Sequence, residues 1–269
     1  MVLINGEPAN LLMVSDRGFN YGDGLFTTLA CRAGQPLLWP LHVERLQRGC
    51  ERLRFALPPV ALLLAEVQQL AAGTDCIVKI VLTRGSGGRG YACRDVQGPN
   101  RVLSAHPLPV HRQQWREQGV RVATLAGRLG SQPLLAGLKS LNRLEQVLLR
   151  QEAETRALDE GLCLDDEGYL VEATAANLWW RSGQRWFTPE LGRCGVAGVM
   201  RQHLLRYFSA QGIEVQCLRP ERALLDAADE IALSNCTFGL VPVRELDGRE
   251  LPAATGVAQL QQQLADLLI

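Results

Sequence analysis

The sequence predicts a mixed fold of the α+β class, divided into two domains. Short apolar runs bounded by turn residues alternate irregularly with segments of helical spacing, and the regular βαβαβ order of a doubly wound sheet is not visible. Between residues 106 and 118 the composition changes to proline, histidine, arginine and glutamine, which indicates a linker or a short helix between domains. The 269 residues suffice for two domains, which we place at residues 1–115 and 116–269.

The first domain is predicted to combine strands with two helices. Asn5-Gly6 between apolar residues is a hairpin signal. Pro40 opens a segment in which apolar residues recur at helical spacing as far as Leu53, and residues 60–72 repeat that pattern. The predicted strands are residues 2–4, 25–31, 37–39, 76–82 and 101–105.

The second domain is predicted from the same periodicities. Its amphipathic segments indicate helices over residues 141–158, 199–211, 221–226 and 257–268. Its short apolar runs indicate strands over residues 120–125, 161–164, 170–172, 177–180, 231–234 and 240–243.

The composition excludes several classes of function. Lysine plus arginine number 28 and aspartate plus glutamate number 28, so the formal charge of zero argues against a nucleic-acid-binding protein. Apolar stretches long enough to span a membrane are missing, and the first ten residues lack the pattern of a signal peptide. We therefore expect a cytoplasmic protein that binds a small molecule and neither nucleic acid nor membrane.

The eight cysteines are scattered without a C-x-x-C pair. In a chain of this length such spacing favours small buried apolar residues over a disulfide framework or a zinc site. No metal site is therefore predicted.

A glycine-rich segment, Gly85-Ser86-Gly87-Gly88-Arg89-Gly90, matches the G-x-G-x-x-G spacing. It does not predict a dinucleotide site, because the residues after it do not begin a convincing helix. Arg84 and Arg89 stand among glycines that allow close approach to a ligand, and guanidinium groups suit carboxylates. The segment is either a carboxylate-binding loop or a solvated surface turn.

The lysines are more informative, since only two of the 28 basic residues are lysines, Lys79 and Lys139. Lys79 alternates with apolar residues in a predicted strand, where it faces solvent or an anion. Lys139 follows an apolar stretch just before a predicted helix. A buried amine is more easily deprotonated and can attack a carbonyl to form a Schiff base, which arginine cannot do. A surface lysine with a partly buried stem is the alternative.

Five ordered blocks of the sequence resemble the pyridoxal-phosphate enzymes of fold type IV. They are Asp16-Arg17-Gly18-Phe19-Asn20-Tyr21-Gly22-Asp23-Gly24-Leu25-Phe26, His42-Val43-Glu44-Arg45-Leu46, Lys139-Ser140-Leu141-Asn142, Glu172-Ala173-Thr174-Ala175-Ala176-Asn177-Leu178 and Gly195-Val196-Ala197-Gly198-Val199-Met200-Arg201. The resemblance implies a smaller N-terminal α/β sandwich and a C-terminal pseudo-barrel domain. It also implies a homodimer, with pyridoxal 5′-phosphate in the cleft between the two domains.

Within this family, the sequence is most similar to the 4-amino-4-deoxychorismate lyases. Thr27-Thr28 follow Phe26 where the aminotransferases usually have Phe-Glu. The segments at residues 84–91 and 135–146 also resemble those of the lyases. The resemblance implies conversion of 4-amino-4-deoxychorismate to 4-aminobenzoate and pyruvate, a step in folate biosynthesis.

The resemblance implies a role for each matched residue. Lys139 carries the cofactor and serves as general acid and base, Thr28 assists proton transfer, and Glu172 pairs with the pyridine nitrogen. The cofactor phosphate is implied to bind Arg45, Gly198, Val199, Met200, Asn235, Cys236 and Thr237, although the Thr237 hydroxyl could equally stabilise a turn. For the substrate carboxylates the candidates are Arg89, Arg84 and Arg17, with Tyr91 on the same loop as Arg89.

Two alternatives remain open at this point. An aminotransferase of the same fold, acting on D-amino or branched-chain amino acids, would keep Lys139, Glu172 and Arg45. A non-catalytic pyridoxal-phosphate-binding protein would bind the cofactor without turnover.

Overall fold

The computed structural model describes residues 1–265, which form parts of two compact units. One unit comprises Met1–Leu108 and Leu138–Asn142, and the other comprises Pro109–Gly137 and the chain from Arg143 onward. This division differs from the predicted continuous boundary after residue 115. The reason is backbone pairing, since the Leu141 N–H donates to the Gly24 carbonyl at 3.0 Å and ties the short segment to the first unit.

The first unit is built on a six-stranded antiparallel sheet in the order β2-β1-β6-β5-β3-β4. Helices α2 and α3 cover the face that carries the fully buried Leu29, Ile80 and Leu103. The elements are β1 (Val2–Ile4), β2 (Glu7–Pro8), α1 (Arg17–Tyr21), β3 (Gly24–Arg32), β4 (Gln35–Pro36), α2 (Trp39–Leu53), α3 (Val60–Ala71), β5 (Cys76–Thr83) and β6 (Asn100–His106).

The second unit is built on a nine-stranded sheet in the order β12-β11-β10-β13-β14-β7-β8-β9, with β15 paired to β14. The last strand, β9, also contacts β10 and β11, so the sheet curls back on itself. The elements are α4 (Arg112–Gln118), β7 (Val120–Leu129), α5 (Leu144–Thr155), β8 (Glu160–Asp165), β9 (Leu170–Ala173), β10 (Asn177–Ser182), β11 (Arg185–Pro189), α6 (Val199–Ala210), β12 (Val215–Leu218), β13 (Glu230–Asn235), β14 (Gly239–Leu246), β15 (Arg249–Glu250) and α7 (Thr255–Gln263).

Local sequence signals explain the elements that the first unit shares with the prediction. Asn5 and Gly6 both have positive φ, 54° and 95°, as a type I′ turn requires, and they connect β1 to β2. Pro40 lies in the first turn of α2, where its missing N–H costs no helical hydrogen bond. The apolar stripe of α2 is buried and packs against β3.

Several predicted elements differ from the structure. Residues 37–39 do not form a strand, because Leu38 has a positive φ of 54° and turns the chain into α2. Helix α5 begins at Leu144 rather than at residue 141, since the preceding segment pairs with β3. The helix expected over residues 221–226 is a 3₁₀ helix, Arg222–Ala227.

The C-terminal helix begins at Thr255, two residues before its expected start, and ends at Gln263. Residues 266–268 of that prediction lie outside the described part of the chain. Within residues 1–265, none of the helices is both long and apolar enough to cross a membrane.

Candidate functional site

Strand β3 of the first unit presents different residues to its two sides. Thr27 points to the buried side and is fully inaccessible, whereas Phe26 and Thr28 on the other side are half-buried. This alternation follows from the two-residue period of a β-strand. The two threonines that are adjacent in sequence therefore have different surroundings.

Lys139 lies beside β3, in the segment that follows Gly137. The Phe26 N–H donates to the Lys139 carbonyl at 2.9 Å, and Ser140 forms a β-bridge with Leu25. The Lys139 Nζ atom lies 4.5 Å from the centre of the Phe26 ring, and the residue is half-buried. The backbone of Lys139 is thus fixed by pairing, and its amine lies against an aromatic surface, where a cation is favoured.

Arg45 and His42 lie one turn apart on the buried face of α2. Thr27 Oγ1 is 2.7 Å from His42 Nδ1, and the Arg45 guanidinium donates to the same Thr27 hydroxyl. Burial, together with the positive charge of Arg45, holds the pKa of His42 well below its usual value. The imidazole is therefore neutral, and two uncharged groups help to orient the arginine.

Arg17 and Arg84 converge on one carboxylate, Asp23. The Nε atoms of the two arginines donate to Asp23 Oδ2 at 2.9 and 2.7 Å. Burial alone would raise the pKa of Asp23, but the hydrogen bonds from Arg84 and Arg17 outweigh it and lower that pKa. Arg17 and Arg84 therefore fix Asp23 at the start of β3 by charged hydrogen bonds.

The remaining donors of the two arginines are directed to backbone carbonyls. Arg84 donates to the carbonyls of Leu53 and Arg54, at 2.6 and 3.0 Å. Arg17 donates to the carbonyls of Gly90 and Ala92, at 3.0 and 3.1 Å. Arg17 therefore also anchors the glycine-rich loop.

The glycine-rich loop is followed by strand β6 and not by the helix that a dinucleotide fingerprint requires. Gly85 has a φ of 111°, a backbone conformation that only glycine adopts readily. Arg89 and Tyr91 are both exposed, Tyr91 by 87%. Of the three candidate arginines, Arg89 alone is on the exposed part of the loop.

Glu172 lies on β9 of the second unit and is only 4% exposed. Its Oε2 atom accepts the backbone N–H of Val196 at 2.9 Å. Burial lowers the pKa of Arg143, and the negative charges of Glu172 and Glu145 partly oppose that shift. The Glu172 carboxylate is therefore fixed in a buried position, and it interacts electrostatically with the positive charge of Arg143.

The N-terminus of α6 provides backbone donors in the same unit. Gly198 is its N-cap, and no side chain caps the first turn, which contains Val199 and Met200. Asn177 Nδ2 donates to the Val196 carbonyl at 2.9 Å and braces the approach to the helix. The first backbone N–H groups of a helix favour anions such as phosphate.

The turn between β13 and β14 contains Asn235, Cys236 and Thr237. Asn235 Oδ1 accepts the N–H groups of Thr237 and Phe238 and the Thr237 hydroxyl, each at 2.9 Å. Asn235 Nδ2 donates to the Ala175 carbonyl at 3.1 Å. The Thr237 hydroxyl is therefore engaged in stabilising the turn, one of the two possibilities that the sequence left open.

The structure brings the candidate residues together in separate groups within each unit. Sequence reasoning missed the contact of Thr27 with His42 and Arg45, and it left Asp23 without a role. The helical spacing of His42 and Arg45 was a usable signal for the first contact. The role of Asp23 depends on its tertiary contacts with Arg17 and Arg84, which no sequence pattern indicated.

Known proteins are similar to this chain over almost its whole length. The profile of a family described as amino-transferase class IV matches residues 24–246. The aminodeoxychorismate lyase of Vibrio harveyi is 36% identical over 269 residues, which are 98% of this chain and 98% of that protein.

Solved structures agree with these relatives. The crystal structure of 4-amino-4-deoxychorismate lyase from Pseudomonas aeruginosa is 44% identical, with a TM-score of 0.93, and the likeness covers 99% of this chain and 98% of that one. A PLP-bound hypothetical aminotransferase from Mycobacterium tuberculosis is 22% identical, with a TM-score of 0.86 and coverage of 100% and 99%. At that identity the second likeness concerns the fold alone.

Proposed function

Because this chain belongs to the amino-transferase class IV family, we propose that it is an aminodeoxychorismate lyase that uses pyridoxal 5′-phosphate. It converts 4-amino-4-deoxychorismate to 4-aminobenzoate and pyruvate. The observation that carries this function is the 44% identity and TM-score of 0.93 to a lyase over almost the entire chain. Its fold is that of the type IV enzymes, as the sequence predicted.

The described residues fit the cofactor. Lys139 supplies a half-buried amine on a backbone that is fixed by pairing with Phe26, which suits the covalent attachment. Glu172 supplies a buried carboxylate fixed by the Val196 N–H, which suits a protonated ring nitrogen. For the phosphate, the chain supplies the uncapped start of α6 at Gly198, Val199 and Met200, the guanidinium of Arg45, and the turn of Asn235, Cys236 and Thr237.

When bound, pyridoxal phosphate provides an electron sink for the carbon next to the substrate amine. Lys139 Nζ removes the proton from the amine-bearing ring carbon of the substrate. Glu172 keeps a negative charge against the pyridine nitrogen and so holds its proton. The Thr28 hydroxyl positions or relays a proton while the enolpyruvyl group leaves. The substrate ring becomes aromatic, which supplies much of the driving force.

The substrate carries two carboxylates that require cations. Arg89 is the candidate whose guanidinium lies on the exposed part of the loop, with Tyr91 close to it in sequence. Arg84 and Arg17 direct several of their donors to Asp23 and to backbone carbonyls. We therefore propose that Arg89 contacts substrate, and that Arg84 and Arg17 contribute by holding the loop and the start of β3.

One assay tests the proposed function directly. The purified protein loaded with pyridoxal phosphate is incubated with 4-amino-4-deoxychorismate, and 4-aminobenzoate and pyruvate are measured together. Equal amounts of the two products are expected. Transamination of D-alanine or leucine without 4-aminobenzoate would instead identify an aminotransferase, and a yellow protein inactive in both assays would identify a non-catalytic binding protein.

Replacing Arg89 with alanine is expected to raise KM for the substrate by about 10- to 100-fold, because one carboxylate loses its charged partner. The visible absorption of the bound cofactor should not change. Steady-state kinetics of 4-aminobenzoate release checks this expectation. Arg94→Ala, an exposed arginine of the following segment, is the matched control and should behave as wild type. A normal KM in Arg89→Ala would show that the loop is a surface turn that does not bind the substrate.

Replacing Thr28 with valine keeps the shape of the side chain and removes its hydroxyl. We expect kcat to fall by about 10- to 100-fold, because a group that moves a proton during elimination is lost. Substrate binding should change little, as stopped-flow absorbance can show. Thr28→Ser retains a hydroxyl and should recover most of the rate. Equal loss in the serine and valine variants would indicate a packing role instead.

We also propose a homodimer in the cytoplasm. Exposed apolar side chains near the N-terminus support association of two chains, namely Leu11, Met13, Val14 and Phe19, which are 69–88% exposed. Within residues 1–265, the eight cysteines form no disulfide bonds, which suits a reducing compartment.

A further inference from the structure

Three polar side chains are buried where α2 packs against β3. Leu25 and Leu29 of β3 lie on the face that the helices cover, and Thr27 between them is fully inaccessible. On the helix, His42 is also fully inaccessible and Arg45 is only 9% exposed. Polar groups are costly to bury between a helix and a sheet unless they are paired. An apolar residue would fill position 27 at a lower cost, so packing alone does not explain the Thr27 hydroxyl.

The three side chains are joined by hydrogen bonds of defined direction. Arg45 Nη2 donates to Thr27 Oγ1, which lies 2.7 Å from His42 Nδ1. Arg45 Nη2 is itself 3.5 Å from the same nitrogen of His42. A guanidinium can only donate, so the Thr27 oxygen accepts from Arg45 and its own hydrogen is directed to His42 Nδ1. Thr27 therefore links the arginine to a histidine that acts as an acceptor.

The close approach of α2 to β3 keeps these groups in register. Gly49 follows Arg45 by about one helical turn, and a Cβ atom added at residue 49 would lie 2.5 Å from Leu25 Cδ1. The missing side chain thus allows the helix and the strand to pack closely. Because Thr27 is two residues beyond Leu25 on the same face of β3, this packing also holds its hydroxyl against Arg45.

A held arginine binds an anion at a lower cost than a mobile one. An arginine side chain has many rotamers, and ordering them on binding opposes association. The contact at Nη2 already fixes the plane of the Arg45 guanidinium in the protein. Since a guanidinium binds phosphate through planar, directional hydrogen bonds, that plane determines how well it fits.

We propose that Thr27 and His42 are positioning residues for the cofactor phosphate. Thr27 holds the Arg45 guanidinium in the orientation that receives the phosphate of pyridoxal 5′-phosphate, and His42 holds the Thr27 hydroxyl. The inference rests on the role given to Arg45 in the proposed function. The two adjacent threonines then differ in purpose, since Thr27 sets cofactor affinity and Thr28 acts in proton transfer.

The test compares two cofactor forms that differ in the phosphate. The full chain freed of cofactor is titrated with pyridoxal phosphate and, separately, with pyridoxal, and visible absorption gives both Kd values. Thr27→Val keeps the shape and removes the hydroxyl. It is expected to raise Kd for pyridoxal phosphate by about 10- to 100-fold and Kd for pyridoxal by less than about threefold. Thr27→Ser retains a hydroxyl and should recover most of the affinity.

A double-mutant cycle shows whether Thr27 acts through Arg45. Arg45→Ala should abolish most of the preference for pyridoxal phosphate over pyridoxal. Thr27→Val added to Arg45→Ala should cause no further loss, because the group that the hydroxyl holds is gone. His42→Phe fills the space of the ring without the acceptor nitrogen, and it should give a smaller loss of the same kind. At saturating cofactor, kcat of Thr27→Val should approach that of the wild type.

The matched control removes another buried hydroxyl from the same sheet. Thr83 on β5 is 2% exposed, and its hydroxyl donates to Asp16 Oδ2 at 2.6 Å. Thr83→Val should lower the thermal stability without changing the ratio of the two Kd values. Thermal unfolding of each variant therefore separates a loss of packing from a loss of phosphate binding.

The outcomes distinguish this proposal from the proposed function. An unchanged ratio of the two Kd values in Thr27→Val or in Arg45→Ala would overturn the positioning role and leave the lyase function standing. Equal weakening of both cofactor forms, or additive losses in the double mutant, would also overturn it. A wild-type protein that shows the expected cycle and yet releases no 4-aminobenzoate would support the positioning role and refute the lyase.

Discussion

Replacing Lys139 with alanine is expected to lower kcat/KM for 4-aminobenzoate release by at least about 10⁴-fold, because the covalent attachment and the proton-transferring amine are lost together. The variant should still fold, since Lys139 contributes its backbone to the pairing with Phe26 and alanine preserves that carbonyl. It should bind pyridoxal phosphate only non-covalently. Absorption spectroscopy before and after dialysis checks this result.

Borohydride reduction supplies the decisive measurement for Lys139. With only two lysines in the chain, peptide mapping of the reduced holoenzyme assigns the attachment site without ambiguity. The label is expected on Lys139 in the wild type and should be absent from Lys139→Ala. A label on Lys79 would contradict the assignment of Lys139.

Replacing Glu172 with glutamine is expected to slow turnover by about 10²- to 10³-fold, equivalent to about 3–4 kcal/mol of electrostatic stabilisation. The amide keeps nearly the same shape, and its oxygen can still accept the Val196 N–H. It lacks the negative charge that retains a proton on the pyridine nitrogen. Single-turnover absorbance should therefore show normal substrate binding followed by a slow proton-removal step.

The control for Glu172 is a charge change of the same kind at an exposed site. Glu250→Gln, on β15, removes one carboxylate from the same unit and should leave the rate unchanged. Thermal unfolding of the two variants shows whether the buried substitution disturbs the fold. Wild-type turnover in a folded Glu172→Gln enzyme would remove this residue from the proposed site.

Elements with strong local signals could be predicted from the sequence, and those that depend on tertiary contacts could not. The Asn5-Gly6 hairpin and the helix that begins near Pro40 follow from the conformations that those residues prefer. Helix α1 was missed because it is a single turn, capped by the Asp16 side chain. Strands β11 and β12 were missed because each is short and depends on pairing with its neighbours.

The candidate site shows the same limit. Contiguous blocks were sufficient to single out Lys139, Glu172 and Arg45, because each lies within a recognisable stretch of sequence. The surroundings of Arg17 and Arg84 could not be predicted in this way. Their shared carboxylate and the carbonyls they bind come from distant parts of the chain, which only the folded structure brings together.

The segment Leu138–Asn142 has a consequence for how the protein is made. The first unit is discontinuous, so a nascent chain that has emerged as far as Leu108 does not yet contain its full set of backbone partners. The edge of β3 at Gly24 and Phe26 stays uncovered until Leu141 and Lys139 have left the ribosome. An uncovered strand edge can pair with other chains. We therefore expect ribosome stalling between residues 108 and 138 to favour aggregation, and a fragment that ends at Leu108 to need the missing segment supplied as a peptide.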